Sequence, residues 1–216
     1  MMSRGLRAAA LWAVLAGSLW QFGGAGYIHV KAVLAQTLLR DAWARTLVDT
    51  QPVKPWPWAD TWPVARLLAP RHAQDLIVLA GASGRTLAFA PGHLNGTATP
   101  EQTGRTIIAG HRDTHFAFLR EIQPGDELRL QDHTGVTHRF MVSDTRVVDS
   151  QSTQLSLDGV KELVLVTCYP FDALSAGGPL RFVVFARPYP APPQNLPQFE
   201  HGQSTFHPAV GNRSGA

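Results

Sequence analysis

The sequence predicts an all-β-dominated domain, a sandwich or a barrel. Two observations carry this. Short apolar runs of strand length recur between Gly- and Pro-rich turns from Pro63 to Ala186. One Asp-His-Thr-Gly junction between two such runs, ending at Gly135, has the chemistry of a hairpin turn. A third observation concerns the start: from Ala8 to Val30 there is no Lys, Arg, Asp or Glu, with Arg4 and Arg7 just ahead.

That uncharged stretch, residues 1–30, reads as an N-terminal membrane anchor or a cleaved signal peptide, because about 20 apolar residues cross a bilayer as a helix. Either reading exports the rest of the chain, and the early arginines favour a cytoplasmic N-terminus. Residues 31–62 form a helical and Trp/Pro-rich linker. Val30, Leu34, Leu38 and Ala42 fall on one helical face, which predicts a helix over 30–48. Lys54–Pro63 then holds three prolines and three tryptophans, a pattern for an extended segment packed into apolar grooves.

The domain itself spans 63–187. Strands are expected at 64–68 and 76–80, with a turn at Gly81–Gly84 closing the second. Thr106–His111 reads as a buried strand ending in Gly-His, and 116–122 as one or two helical turns. Strands at 127–130, 136–142, 145–148, 163–167 and 180–186 complete the set. Residues 188–216 are rich in Pro, Gln, Asn and Gly and read as a disordered tail.

The formal net charge is only +3 and the basic residues form no stripe, so nucleic acid is not an expected partner. The chain has a single cysteine, Cys168. In an exported protein an odd cysteine suggests intermolecular pairing or a reactive thiol, against the alternative of a small buried apolar residue. Cys168 stands at the end of an apolar run, with Pro170 just beyond it. Strand ends and loops on a rigid scaffold are where function concentrates, which favours the reactive thiol.

A cysteine nucleophile needs a proton carrier and a stabiliser of the oxyanion. Of nine histidines, His111 stands apart because it too ends a buried strand, in Ile-Ile-Ala-Gly-His-Arg-Asp. Arg181 opens the strand after Cys168 and lies near it if those strands pair. A rival reading takes His111, Asp113 and His115 as zinc ligands, but three or four ligands are needed and no further set completes them.

These residues resemble the sortases, and most closely the Gram-negative or marine proteobacterial group. The likeness runs from about Pro52 to Arg187 and rests on ordered pieces. They are Lys54–Leu67, Ala90–Ala98, Ile107–Phe116, Pro124–Leu128, Leu165–Phe171 and Arg181–Arg187. The resemblance implies a closed eight-stranded β-barrel with short helices, preceded by a transmembrane helix. It implies catalytic roles for Cys168, His111 and Arg181 in a cysteine transpeptidase. Such an enzyme cleaves a Leu-Pro-x-Thr-Gly-like C-terminal sorting signal between Thr and Gly through a thioester, then transfers the substrate to an amine acceptor. A hydrolytic cysteine peptidase and a non-catalytic envelope-binding barrel are the alternatives.

Thr167 is a candidate for substrate contact or for strand packing, and His93 matches a second, structural histidine. Where the family motif begins with Thr, this chain has Val164. No cofactor and no metal are implied. The implied partners are an exported protein bearing the signal, possibly with a von Willebrand-type domain, and the inner membrane, with the catalytic domain in the periplasm. Leu196–Glu200 lacks the Thr-Gly pair and is read as chance.

Overall fold

The computed structural model describes residues 4–157, 159–173 and 177–189, with the side chains of most of residues 4–29 outside that description. The expected tail beyond Tyr189, Leu196–Glu200 included, also lies outside it.

One helix, α1 (Arg4–Asp49), runs from the N-terminal segment into the domain. Among the described residues no helix is long and apolar enough to cross a membrane. The expected transmembrane helix is therefore seen as a helix but not as a membrane span. Gly17, Ser18, Gln21, Gly23, Gly24 and Gly26 interrupt its apolar run.

The last third of α1 is part of the domain. Leu39, Ala42, Trp43 and Thr46 are buried, Trp43 to 3% exposure. Leu39 and Trp43 form one apolar cluster with Ile77, Leu79 and Ala90. Of the Trp-rich segment, Trp56 packs edge-on against Phe89 with ring centroids 5.1 Å apart, and Thr61 donates to Ala80 O. Trp58 stands 83% exposed. The segment seals the helix against the barrel with some of its aromatics rather than all of them.

Eight strands close the barrel in the order β1-β2-β3-β4-β7-β8-β6-β5. They are β1 (Pro63–Ala69), β2 (Gln74–Ala80), β3 (Gly92–His93), β4 (Arg105–Ala109), β5 (Glu127–Gln131), β6 (Thr137–Asp149), β7 (Glu162–Cys168) and β8 (Leu180–Pro188). Closure leaves no free sheet edge. Alternate residues point inward, so Ala65, Leu67 and Ala69 of β1 meet Val78, Ile108, Leu128, Leu130, Leu163, Leu165 and Val184 in one core.

Three features depart from the expected elements. A short helix, α2 (Gly84–Leu87), succeeds the 81–84 turn, capped by Ser83, whose side chain accepts from Thr86 N. The two-residue β3 was not expected. The two runs expected at 136–142 and 145–148 form the single strand β6, whose pairing with β8 shifts between Val142 and Asp144. Ser143 is the extra residue there, and its hydroxyl donates to Phe185 O. A bulge of this kind bends a strand without ending it. The expected hairpin joins β5 to β6, and Gly135 takes φ +87°, where L side chains are strained.

Candidate active site

Two parallel neighbours, β4 and β7, set the site. Ala109 lies opposite Val166, and the next residue continues the register, with Gly110 N donating to Val166 O at 3.1 Å. The Thr167 hydroxyl returns a bond to Gly110 O at 2.7 Å. His111 follows Gly110, and Cys168, the last residue of β7, follows Thr167, so each comes directly after one member of this bonded pair. On the other flank of β7, Cys168 is the direct antiparallel partner of Arg181 in β8. The three sequence-predicted residues thus occupy adjoining positions at one end of a three-strand block.

Cys168 and Arg181 also share a face. Along β7, Leu163 and Leu165 point into the barrel core, while Val164 and Val166 point outward with Ile107, Val183 and Phe185. Strand alternation places Cys168 on this outer face. Leu94, Val148 and Leu155 complete an apolar strip there, Leu155 arriving from the connection between β6 and β7. Arg105 ties that connection down, bonding Glu162 Oε2 at 2.7 Å and the Ser156 carbonyl. Cys168 is a free thiol, half-buried, and His111 is exposed.

Arg181 is half-buried, and its Nη1 donates to Gly178 O at 2.7 Å and Leu180 O at 2.8 Å. A guanidinium carries five N–H groups. Nη1 holds two of these, so the described contacts leave the Nε and Nη2 hydrogens for a ligand.

Thr167 is 2% exposed and spends its hydroxyl on Gly110 O. This geometry fits the strand-packing reading, in which Thr167 clamps the histidine-bearing strand to the cysteine-bearing one. His93 Nε2 is engaged with Ala98 O and Thr97 Oγ1, each at 3.0 Å, within the 93–98 loop. Among the described residues no three His, Cys, Asp or Glu side chains gather as a metal site, so His111, Asp113 and His115 form no such cluster.

Two residues were missed from the sequence. Gly110 lies against Phe116, where a Cβ would sit 2.7 Å from a ring carbon. Phe116 is wholly buried, and its N–H closes the turn onto His111 O at 2.9 Å. Arg112 is buried beside His111, and its Nη2 reaches Ala173 O at 2.9 Å, joining the turn after β4 to the turn after β7. An adjacent arginine in Gly-His-Arg-Asp was visible in the sequence, but nothing in spacing shows that it points inward.

One cavity lies apart from these residues. It has a volume of about 370 Å³ and is lined by Trp62, Val78, His93, Thr106, Leu130 and His133 among others, and by neither Cys168 nor His111.

Comparison with known proteins agrees with this geometry. The sortase-domain family model matches residues 67–189. Sortase D of Bacillus subtilis (strain 168) is 31% identical over 120 residues, which cover 55% of this chain and 60% of that protein. Among solved structures, sortase A from Corynebacterium diphtheriae superposes with a TM-score of 0.55 at 25% identity, covering 64% of this chain and 66% of that one. The Clostridium perfringens sortase D5 transpeptidase gives 0.58 at 20% identity, covering 73% and 99%, a likeness of fold. With a family model spanning more than half of its length, laid over a closed barrel in which Cys168 pairs with Arg181, this chain belongs to the sortase family.

Proposed function

We propose that the protein is a sortase-type cysteine transpeptidase acting on a Leu-Pro-x-Thr-Gly-like sorting signal. The observation that supports this is strand register: Cys168 pairs with Arg181, and the Thr167–Gly110 bond joins the residues that precede Cys168 and His111.

In this mechanism the Cys168 thiolate attacks the carbonyl carbon of the signal's Thr. Arg181 N–H groups receive the negative charge on the tetrahedral oxygen. The C–N bond to Gly breaks as protonated His111 gives its proton to the leaving amine. A thioester remains on Cys168. An acceptor amine then attacks it, His111 takes the amine's proton, and the C–S bond breaks to release product and thiolate. Water in place of the amine gives hydrolysis by the same path.

The substrate is an exported protein bearing the signal, and the domain acts in the periplasm at the inner membrane. Arg4, Arg7 and the uncharged stretch 8–30 support export. Fractionation of expressing cells tests the location; recovery of the full-length chain in the cytosol would refute it. Incubation with signal peptide and a small amine tests the reaction. An amine-capped peptide supports transpeptidation, a carboxylate product alone supports a hydrolase, and no turnover with reduced Cys168 supports a binding role.

A further inference from the structure

We propose that Arg112, assisted by Arg120, is a positioning residue: it clasps the segment that carries His111 to the turn that follows Cys168, and so sets how the two groups stand to one another.

Both arginines leave one short segment. β4 ends at Ala109, His111 follows, and a 3-10 helix (Ala117–Arg120) closes the segment. Backbone bonds make it one piece. Phe116 N donates to His111 O at 2.9 Å, Ala117 N to Thr114 O at 3.2 Å and Leu119 N to Phe116 O at 3.1 Å. From this piece two side chains cross to the turn after β7. Arg112 Nη2 donates to Ala173 O at 2.9 Å. The Arg120 guanidinium carbon lies 5.5 Å from the centre of the Phe171 ring, within the reach of a cation–π contact. The other flank of that turn is tied to β8, where Tyr169 N donates to Leu180 O at 3.1 Å and the Phe171 and Phe182 rings meet at 5.3 Å. Leu180 directly precedes Arg181. The turn after Cys168 therefore stands between the strand of Arg181 and the segment of His111, and the two arginines bond it to the second.

The arrangement brackets the catalytic pair. Thr167 Oγ1 bonds Gly110 O, which joins the residues just before Cys168 and His111. Arg112, just after His111, bonds Ala173 beyond Cys168. One tie alone would leave His111 free to pivot about it; ties on both sides fix its direction. Packing does not account for Arg112, which is 9% exposed. Burying a guanidinium is costly, and an apolar side chain of similar length fills the same space at lower cost. What the guanidinium adds is a directed, charge-assisted bond of defined length between residues 61 apart in the chain.

This inference rests on the transpeptidase reading for the roles of His111 and Cys168, so one arm of the test needs no substrate. In the full chain, the rate of Cys168 alkylation by iodoacetamide at neutral pH is measured with and without His111→Ala, in the wild-type, Arg112→Met, Arg112→Lys and Arg120→Met backgrounds. A charged or hydrogen-bonding group acts on a thiol when the two are close. His111→Ala should therefore change the rate in the wild-type background, and change it several-fold less in Arg112→Met, which fills the space but donates nothing. Arg112→Lys keeps one charged donor for Ala173 O and should recover most of this coupling. Arg120 is exposed, so Arg120→Met should weaken it less. In acyl-transfer kinetics, displacing a catalytic group by about 1 Å costs on the order of 100-fold, so Arg112→Met should lower kcat by roughly 10- to 100-fold with KM for the signal peptide little changed. An equal effect of His111→Ala in the wild-type and Arg112→Met backgrounds, including no effect in either, would overturn the proposal whether or not the chain transfers peptides. Arg120→Met takes the place of Arg112→Met in this comparison if the latter does not fold. A loss of coupling in Arg112→Lys as large as in Arg112→Met would also overturn it. Absence of peptide transfer by the wild-type chain with reduced Cys168 would count against the transpeptidase reading, and the alkylation arm would still decide this one.

Discussion

Replacing Gly110 with alanine should cost far more activity than stability. A Cβ there would meet three Phe116 ring atoms at 2.7, 2.8 and 3.0 Å. Carbon atoms rest at about 3.5–4.0 Å, so ring and turn must separate by about 1 Å. Phe116 is wholly buried among Leu119, Leu128 and Phe140, and has little room to retreat. Overpacking of this kind costs typically about 1–3 kcal/mol. The turn is the softer side, so most of the displacement falls on His111, the next residue. A shift of that size costs on the order of 100-fold in rate. Urea unfolding and acyl-transfer kinetics on the same preparations separate the two effects. Phe116→Leu in the Gly110→Ala background removes the ring and should restore part of the activity. Wild-type kcat in Gly110→Ala, or failure of the second substitution to restore any, would refute the idea that the close packing of Gly110 on Phe116 places His111.

The same contacts carry other consequences. Thr167→Val keeps shape but leaves Gly110 O without its donor, and should cost about 1–3 kcal/mol by urea unfolding while loosening the His111 turn. Trp43→Ala, at a buried position of α1, should cost about 3–5 kcal/mol, measured the same way. A chain cut back to Gln51 loses Leu39, Ala42 and Trp43 together and should melt well below one that begins near Lys31; equal melting temperatures would show that α1 does not belong to the folded unit. Hydrogen bonds from Arg129 and Arg139 hold the Glu127 carboxylate down at about 2. A depressed carboxylate stabilises the fold above its unfolded value and loses that effect as pH falls towards 2. Glu127→Gln should therefore remove about 1 kcal/mol of stability at pH 7, after allowance for the solvent-exposed arginines, and flatten the loss between roughly pH 4.5 and 2.

Much of the barrel was legible because its strands are short apolar runs bounded by Gly and Pro, and β1, β2, β4, β5, β7 and β8 lie close to the expected runs. What escaped has local physical causes. β3 has two residues, Gly92 and His93, too few to show any alternation. The bulge at Ser143 places Ser-Asp in mid-strand, where it imitates a turn. Residues 30–48 showed an apolar helical face through Val30, Leu34, Leu38 and Ala42, but Val30 and Leu34 are exposed, and the face packed on Ile77 and Leu79 is instead that of Leu39 and Trp43, which the barrel rather than the helical periodicity selects.

The site divides in the same way. Cys168 and His111 were visible as the ends of two buried runs. Their adjacency was not, because it depends on the parallel pairing of strands more than fifty residues apart, as in the bond between Thr167 and Gly110. Arg181 opposite Cys168 comes from antiparallel register, which an arginine at a strand start does not announce. Thr167 was legible as a polar residue beside the thiol, but its inward direction is a property of the pleat.

The whole proposed reaction turns on Cys168 as the nucleophile of an acyl transfer. The most direct test is the intact mass of the full chain after brief mixing with a Leu-Pro-x-Thr-Gly peptide. A mass gain equal to the peptide acyl group on Cys168 is expected. The adduct should vanish on adding an amine, and it should not form in Cys168→Ala. An adduct or cleavage that persists in Cys168→Ala would contradict this role, as would the absence of any adduct across a panel of signal sequences with Cys168 shown to be reduced.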